Sequence, residues 1–100
     1  MTILEQILDR YLQNNNKFCI DSAHYRIKRE YFEQKAKIIY QTQNLKATPK
    51  NWVGAQIFKE YKEDCKKLDL KAFCKARDFE LRRGRVYLFA VKQQSLKLFD

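Results

Sequence analysis

The sequence predicts a mostly helical α+β fold, and three observations carry that expectation. Two glycines and one proline are the only strong breakers in 100 residues, so helices should dominate and tight turns should be few. Apolar residues recur at helical spacing from Ile3 to Leu12, again toward Tyr40, and then from Val53 to Leu68. Past Arg77 the period changes: Phe79-Glu80-Leu81-Arg82-Arg83 alternates apolar with polar, and Arg85-Val86-Tyr87-Leu88-Phe89-Ala90-Val91 is rich in strand formers. A chain of this length holds one domain with one modest core, which 14 aromatic residues fill with few side chains.

The first helix opens on Thr2-Ile3-Leu4-Glu5, a capping box in which Thr2 and Glu5 exchange bonds with each other's amides. Ile3, Leu4, Ile7, Leu8, Tyr11 and Leu12 line it, and Asn14-Asn15-Asn16 should end it. Residues 17 to 28 read two ways. Phe18-Cys19-Ile20 and Tyr25 with Ile27 suit strands, whereas Asp21 or Ser22 can cap a helix that runs to about Gln43. The apolar residues fall on two opposed faces, which favours an extended start that becomes helix near Lys28. Thr48-Pro49-Lys50 is a boundary, because proline suits the first turn of a new helix. From Asn51 to about Lys67, Val53, Ile57, Phe58, Tyr61, Cys65 and Leu68 form one stripe opposite Gln56, Lys59, Glu60, Lys62 and Glu63. A short helix capped by Asp69 follows, with Leu70, Phe73, Cys74 and the stem of Arg77 on one side and Lys71, Ala72, Lys75 and Asp78 on the other.

Two amphipathic helices joined by about three residues make a helix-turn-helix. A hairpin directly after it, turning at Gly84, makes a wing. The expected fold is therefore a winged helix-turn-helix over residues 48–92, with an N-terminal helical part over 1–47 for partner contacts and a tail over 93–100, all within one compact domain.

Charge points to a polyanionic partner. The formal net charge is +9, and residues 66 to 92 carry nine of the 21 Lys and Arg against three of the 12 acids. A basic stripe within one segment is the footprint of a phosphate-contacting surface, although a lysine-rich solvated face looks the same by composition. The candidate nucleic-acid contacts are Lys66, Lys67, Lys71 and Lys75 along the helices and Arg82, Arg83 and Arg85 at the wing tip. The exposed helix face is poor in Asn, Gln and Arg, the residues that read bases, so backbone contacts to single- or double-stranded DNA are expected.

Other chemistries find little support. Three cysteines without C-x-x-C spacing and one histidine make neither a disulfide framework nor a convincing zinc site, and core packing explains Cys65 and Cys74. His24 has no nucleophile near it, and Glu60, Glu63 and Asp64 look like surface ion pairs of a helix. Trp52 suits packing better than base stacking. No phosphate-binding glycine loop is present, so no cofactor and no catalysis are expected. An N-terminal amphipathic helix and the lack of a long apolar run suggest a cytoplasmic protein with no membrane partner.

The stretch from Ile57-Phe58-Lys59-Glu60-Tyr61-Lys62 through Lys71-Ala72-Phe73 to Arg77-Asp78-Phe79-Glu80-Leu81-Arg82-Arg83-Gly84-Arg85-Val86-Tyr87 resembles the winged-helix module that ends many phage and mobile-element primase–helicases. The resemblance covers about residues 52 to 92, and Asp78-Phe79 stands where that family often has Gly-Phe. A free-standing version is similar to the small middle proteins of the replication operons in staphylococcal cassette chromosomes. The resemblance implies a DNA-replication accessory that partners a polymerase, primase or helicase. Ser95-Leu96-Lys97-Leu98-Phe99 also resembles the peptide by which bacterial replication proteins dock on the sliding clamp, making Leu96, Leu98 and Phe99 candidate partner contacts. Two other functions remain open on the same residues: a transcriptional or excision regulator reading duplex DNA as a dimer, and a winged helix that binds only protein.

Overall fold

A computed structural model describes the backbone of residues 1–43 and 50–93 and the side chains of 1–41 and 53–93. Leu96, Leu98, Phe99 and the side chain of Trp52 lie outside the described residues. The chain runs α1 (Ile3–Asn14), β1 (Lys17–Cys19), α2 (Ile20–Gln43), α3 (Lys50–Lys67), α4 (Leu70–Lys75), β2 (Phe79–Arg83) and β3 (Leu88–Lys92). It is a mostly helical α+β fold with one small antiparallel sheet. Among the described residues no helix is long and apolar enough to cross a membrane.

Helix α1 forms as its first residues dictate. The Thr2 hydroxyl accepts from the Glu5 amide and the Glu5 carboxylate accepts from the Thr2 amide, both at 3.1 Å. The two Thr2 bonds hold the Glu5 carboxyl below the usual glutamate range. At the other end the Asn15 side chain donates to the Tyr11 carbonyl at 2.9 Å, while its own backbone is extended and leads into β1. Leu4, Ile7, Leu8 and Leu12 are buried along one stripe.

The expectation for residues 17–28 is corrected. The extended segment ends at Cys19, and helix begins at Ile20 rather than near Lys28. The two opposed apolar faces reflect different neighbours along a long helix. Ala23, Ile27 and Tyr31 face the core, Ile39 is buried farther along, and Tyr25 and Tyr40 stay exposed. Beside Tyr31, the edges of Phe32 and Tyr61 close an aromatic cluster between α2 and α3. The Tyr31 hydroxyl donates to the Asp64 carboxylate at 2.8 Å, and burial with that acceptor pushes its phenol up.

Acids expected to make surface pairs within α3 instead join helices. Asp64 holds Tyr31, and Glu60 pairs with Lys35 of α2 at 3.6 Å. Cys65, expected in the core, is exposed; Val53, Ile57 and Tyr61 take the buried stripe. Cys74 is buried, which pushes its thiol up, and all three cysteines are free.

Asp69 caps α4 by accepting from the Ala72 amide at 3.1 Å, so Phe73 and Cys74 point inward. Arg77 then fastens this corner to α1. Its guanidinium lies 3.6 Å from the Phe73 ring centroid, pairs with Asp9 and donates to the Phe73 carbonyl. The chain turns into β2 through Asp78, whose φ of 62° is the one positive value among the described residues. Only glycine adopts that conformation freely, and Asp tolerates it better than most residues.

The sheet has the order β1-β3-β2. The hairpin expected between residues 79 and 91 forms, but Gly84 is not a one-residue turn. Residues 84–87 make a loop closed by the Gly84 amide donating to the Tyr87 carbonyl at 2.8 Å, and β3 begins at Leu88 rather than Arg85. The third strand comes from Lys17–Cys19, so the N-terminal part and the hairpin share one sheet.

Candidate nucleic-acid interface

Strand pairing decides which side of the sheet each basic residue takes. Phe79, Leu81 and Ala90 turn inward, and Phe18 packs against the same core. Alternation then sends Glu80 and Arg82 outward, opposite Val91 and Phe89, with Lys17 and Cys19 on the far side of β3. The Lys17 amine sits 5.2 Å from the Phe89 ring centroid. Arg82 lies directly across from Phe89 and Lys17 reaches the same ring diagonally, so the outer face places two cations beside one aromatic residue, one of them from a strand far away in sequence.

The arginines at the hairpin tip are not equivalent. The Arg82 guanidinium pairs with Glu80 at 3.2 Å, and Gln93 donates to the same carboxylate oxygen at 2.9 Å. Arg83 and Arg85 are exposed and meet no carboxylate among the described residues. The loop that carries Arg85 is pinned from outside the hairpin, where the Asp21 carboxylate accepts from the Leu88 amide at 2.7 Å. Gly84 sits at a close approach: a Cβ there would lie 3.3 Å from the Phe89 ring and 3.4 Å from the Tyr87 carbonyl, so a larger residue needs the ring to give by a few tenths of an ångström. Val86 and Tyr87 are exposed at the loop tip beside Arg85.

Lys66, Lys67, Lys71 and Lys75 are all exposed and free of acid partners among the described residues. Lys66 and Lys67 end α3, where the helix dipole favours cations and gives them a structural reason to be there. Lys71 and Lys75 stand one turn apart on α4 with Ala72 beside them, opposite Phe73 and Cys74. This face offers ammonium groups and no base-reading amide. The arrangement can neutralise phosphates and has little means of distinguishing one base from another.

Sequence reasoning missed Lys17 and Phe89, because only the pairing of β1 with β3 brings them together. It also missed a cluster on α2 and α3. The Lys28 amine lies 4.8 Å from the Phe58 ring centroid and Lys62 lies 4.5 Å from the same ring. The signal was present as aromatic and basic residues alternating at helical spacing on both helices. No family model, curated protein or solved structure matches the chain.

Proposed function

We propose that this chain is a non-catalytic nucleic-acid-binding protein of the winged helix-turn-helix kind, acting as an accessory of mobile-element DNA replication. In this reading α3 and α4 are the helix pair, residues 84–87 are the wing, and β1 completes the sheet. The observation that carries it is a three-strand sheet of order β1-β3-β2 whose hairpin follows two short-linked helices and presents Arg83 and Arg85 unpaired. The left-handed backbone at Asp78 adds support, since that position holds glycine in many of the primase–helicase modules the segment resembles. The replication setting and a polymerase, primase or helicase partner rest on that resemblance.

Binding is mainly to phosphates and so depends steeply on salt. Each neutralised phosphate contributes about 0.9 to the slope of log K against log salt on duplex DNA. Replacing Arg83 and Arg85 together by alanine should lower the slope by about 1.8. Arg82→Ala should lower it by up to about 0.9, since the exposed Glu80 partner yields to a phosphate at little cost, and Glu80→Gln should tighten binding. Fluorescence anisotropy on a labelled duplex across a salt series measures all four proteins. A second reading, a winged helix that grips protein alone, draws on the exposed Val86 and Tyr87 at the loop tip. Negligible duplex binding at low salt that the Arg83/Arg85 variant leaves unchanged would decide for it, whereas a measurable slope unchanged by that variant would place the contact elsewhere than the hairpin tip.

A further inference from the structure

Helix α2 has a second face that the wing does not use. Asp21, Tyr25, Lys28, Arg29 and Phe32 follow one another at helical spacing on a face that adjoins the buried Ala23, Ile27 and Tyr31 and turns outward at Tyr25 and Arg29. A recess of about 270 Å³ is lined by Tyr25, Lys28, Arg29 and Phe32. Tyr25 is 72% exposed, an unusual placement for a large aromatic side chain, and no ring or hydrogen-bond partner holds it among the described residues. Phe32 is half-buried at the other end of the recess and leans on Phe58 of α3, with ring centroids 6.4 Å apart.

Cations surround these rings. Lys28 and Lys62 lie over Phe58, and neither meets a carboxylate among the described residues. Arg29 is paired with Glu33 at 3.2 Å, but both side chains are well exposed, so a phosphate can replace that partner at little cost. Lys66 stands one turn beyond Lys62 on α3 and continues the positive row toward α4. At the other end, Asp21 is one turn before Tyr25 and binds the Leu88 amide, so the face abuts the loop that carries Arg85. Tyr25 to Phe32 spans about 10 Å of helix axis, enough for one or two extended nucleotides rather than a duplex.

We propose that this recess on α2 is a stacking site for an unpaired base, with Tyr25 and Phe32 meeting the base and Lys28, Arg29 and Lys62 meeting the flanking phosphates. The occupant is single-stranded nucleic acid. The charge is complementary, an exposed π-face accepts any base, and the lack of base-reading amides on this face predicts tolerance of sequence. The proposal goes beyond the wing reading, because it uses a different face and a different form of nucleic acid.

The test is fluorescence anisotropy of the full chain with three probes at fixed salt: a labelled oligothymidine, the same length of abasic sugar–phosphate, and a blunt duplex. Tyr25→Ala should weaken the oligothymidine about 5-fold to 150-fold while leaving the duplex unchanged. Tyr25→Trp should bind the oligothymidine at least as well as the unaltered chain. The abasic strand should bind the unaltered chain at least as weakly as the oligothymidine binds Tyr25→Ala, because it loses the Phe32 contact as well. Lys28→Gln should lower the salt slope on the single strand by about 0.7. Equal binding of abasic and base-bearing strands would overturn the stacking site, as would a Tyr25→Ala chain that loses duplex and single strand alike. Because Tyr25 is solvent-exposed and unpartnered, its replacement does not threaten the fold. Loss of the wing reading would show instead as duplex binding indifferent to Arg83 and Arg85.

Discussion

Replacing Tyr31 by phenylalanine removes one oxygen from the tightest place between α2 and α3. The ring is fully buried at 0% exposure, and its edge-to-face contact with Tyr61, at 5.1 Å between centroids, survives the change. What is lost is the hydroxyl's donation to the Asp64 carboxylate at 2.8 Å. A hydrogen bond to a charged group contributes about 1.5–3 kcal/mol, and leaving one partner buried and unpaired adds to the loss. Asp64 is only half-buried, so water can take the place of the phenol and the cost should fall near the lower limit, about 1–2 kcal/mol. For a domain of this size that is a fall in Tm of about 5–15 °C. Tyr31→Ala would add a cavity and cost about 3–5 kcal/mol.

Calorimetry and urea unfolding of Tyr31→Phe, Asp64→Asn and the double variant form a cycle that isolates the bond. Coupling of about 1 kcal/mol is expected, and coupling within about 0.3 kcal/mol of zero would refute the latch. The alkaline limb gives a second readout. Burial pushes the Tyr31 and Tyr61 phenols up, so the folded chain keeps both protonated where the unfolded chain begins to ionise. Stability from these groups is complete below the unfolded tyrosine range, about pH 10, and falls as pH rises beyond it. Each tyrosine contributes up to about 1.4 kcal/mol per pH unit, and Tyr31→Phe should remove one share of that slope.

The N-terminal cap and the corner before β2 each give a further test. Thr2→Ala should cost about 1 kcal/mol in urea unfolding through loss of the Glu5 amide's acceptor. Because its bonds to Thr2 hold the Glu5 carboxyl low, that contribution is present above the ordinary glutamate range and is lost as pH falls through the lowered value. Glu5→Gln should therefore flatten the dependence of Tm on pH between about 5 and 3, and an unchanged acid limb would count against the cap. At Asp78, with φ of 62°, glycine should be neutral to stabilising by up to about 1 kcal/mol and valine destabilising by about 1–2 kcal/mol. Thermal melts that ranked valine level with glycine would mean the corner is not left-handed in solution.

The local signals were plain in the sequence wherever the relevant partners are a few residues apart. Thr2 with Glu5, Asp69 with Ala72 and the breaker-poor helices all follow from residue types at fixed short spacing, and the structure forms them. Residues 17–28 were misread because hydropathy reports that a residue is buried without saying against what. One helix flanked by different neighbours along its length imitates two opposed faces. Cys65 failed for the related reason that a stripe drawn on α3 is wider than the strip its neighbours cover, so Tyr61 took the core and Cys65 the solvent.

The candidate site divides the same way. Sequence alone determined that the last third is basic, that a hairpin follows a short capped helix, and that its turn is rich in arginine. Those properties are written in composition and in spacings of a few residues. Only the tertiary structure decided that β1 joins β3, which places Lys17 over Phe89 opposite Arg82. It alone decided that Glu80 pairs with Arg82 while Arg83 and Arg85 stay free. It alone set Lys28 of α2 and Lys62 of α3 over one phenylalanine. The Lys17–Phe89 and Lys28–Phe58 contacts join residues tens of positions apart, and no periodicity within a single element encodes which element will face it.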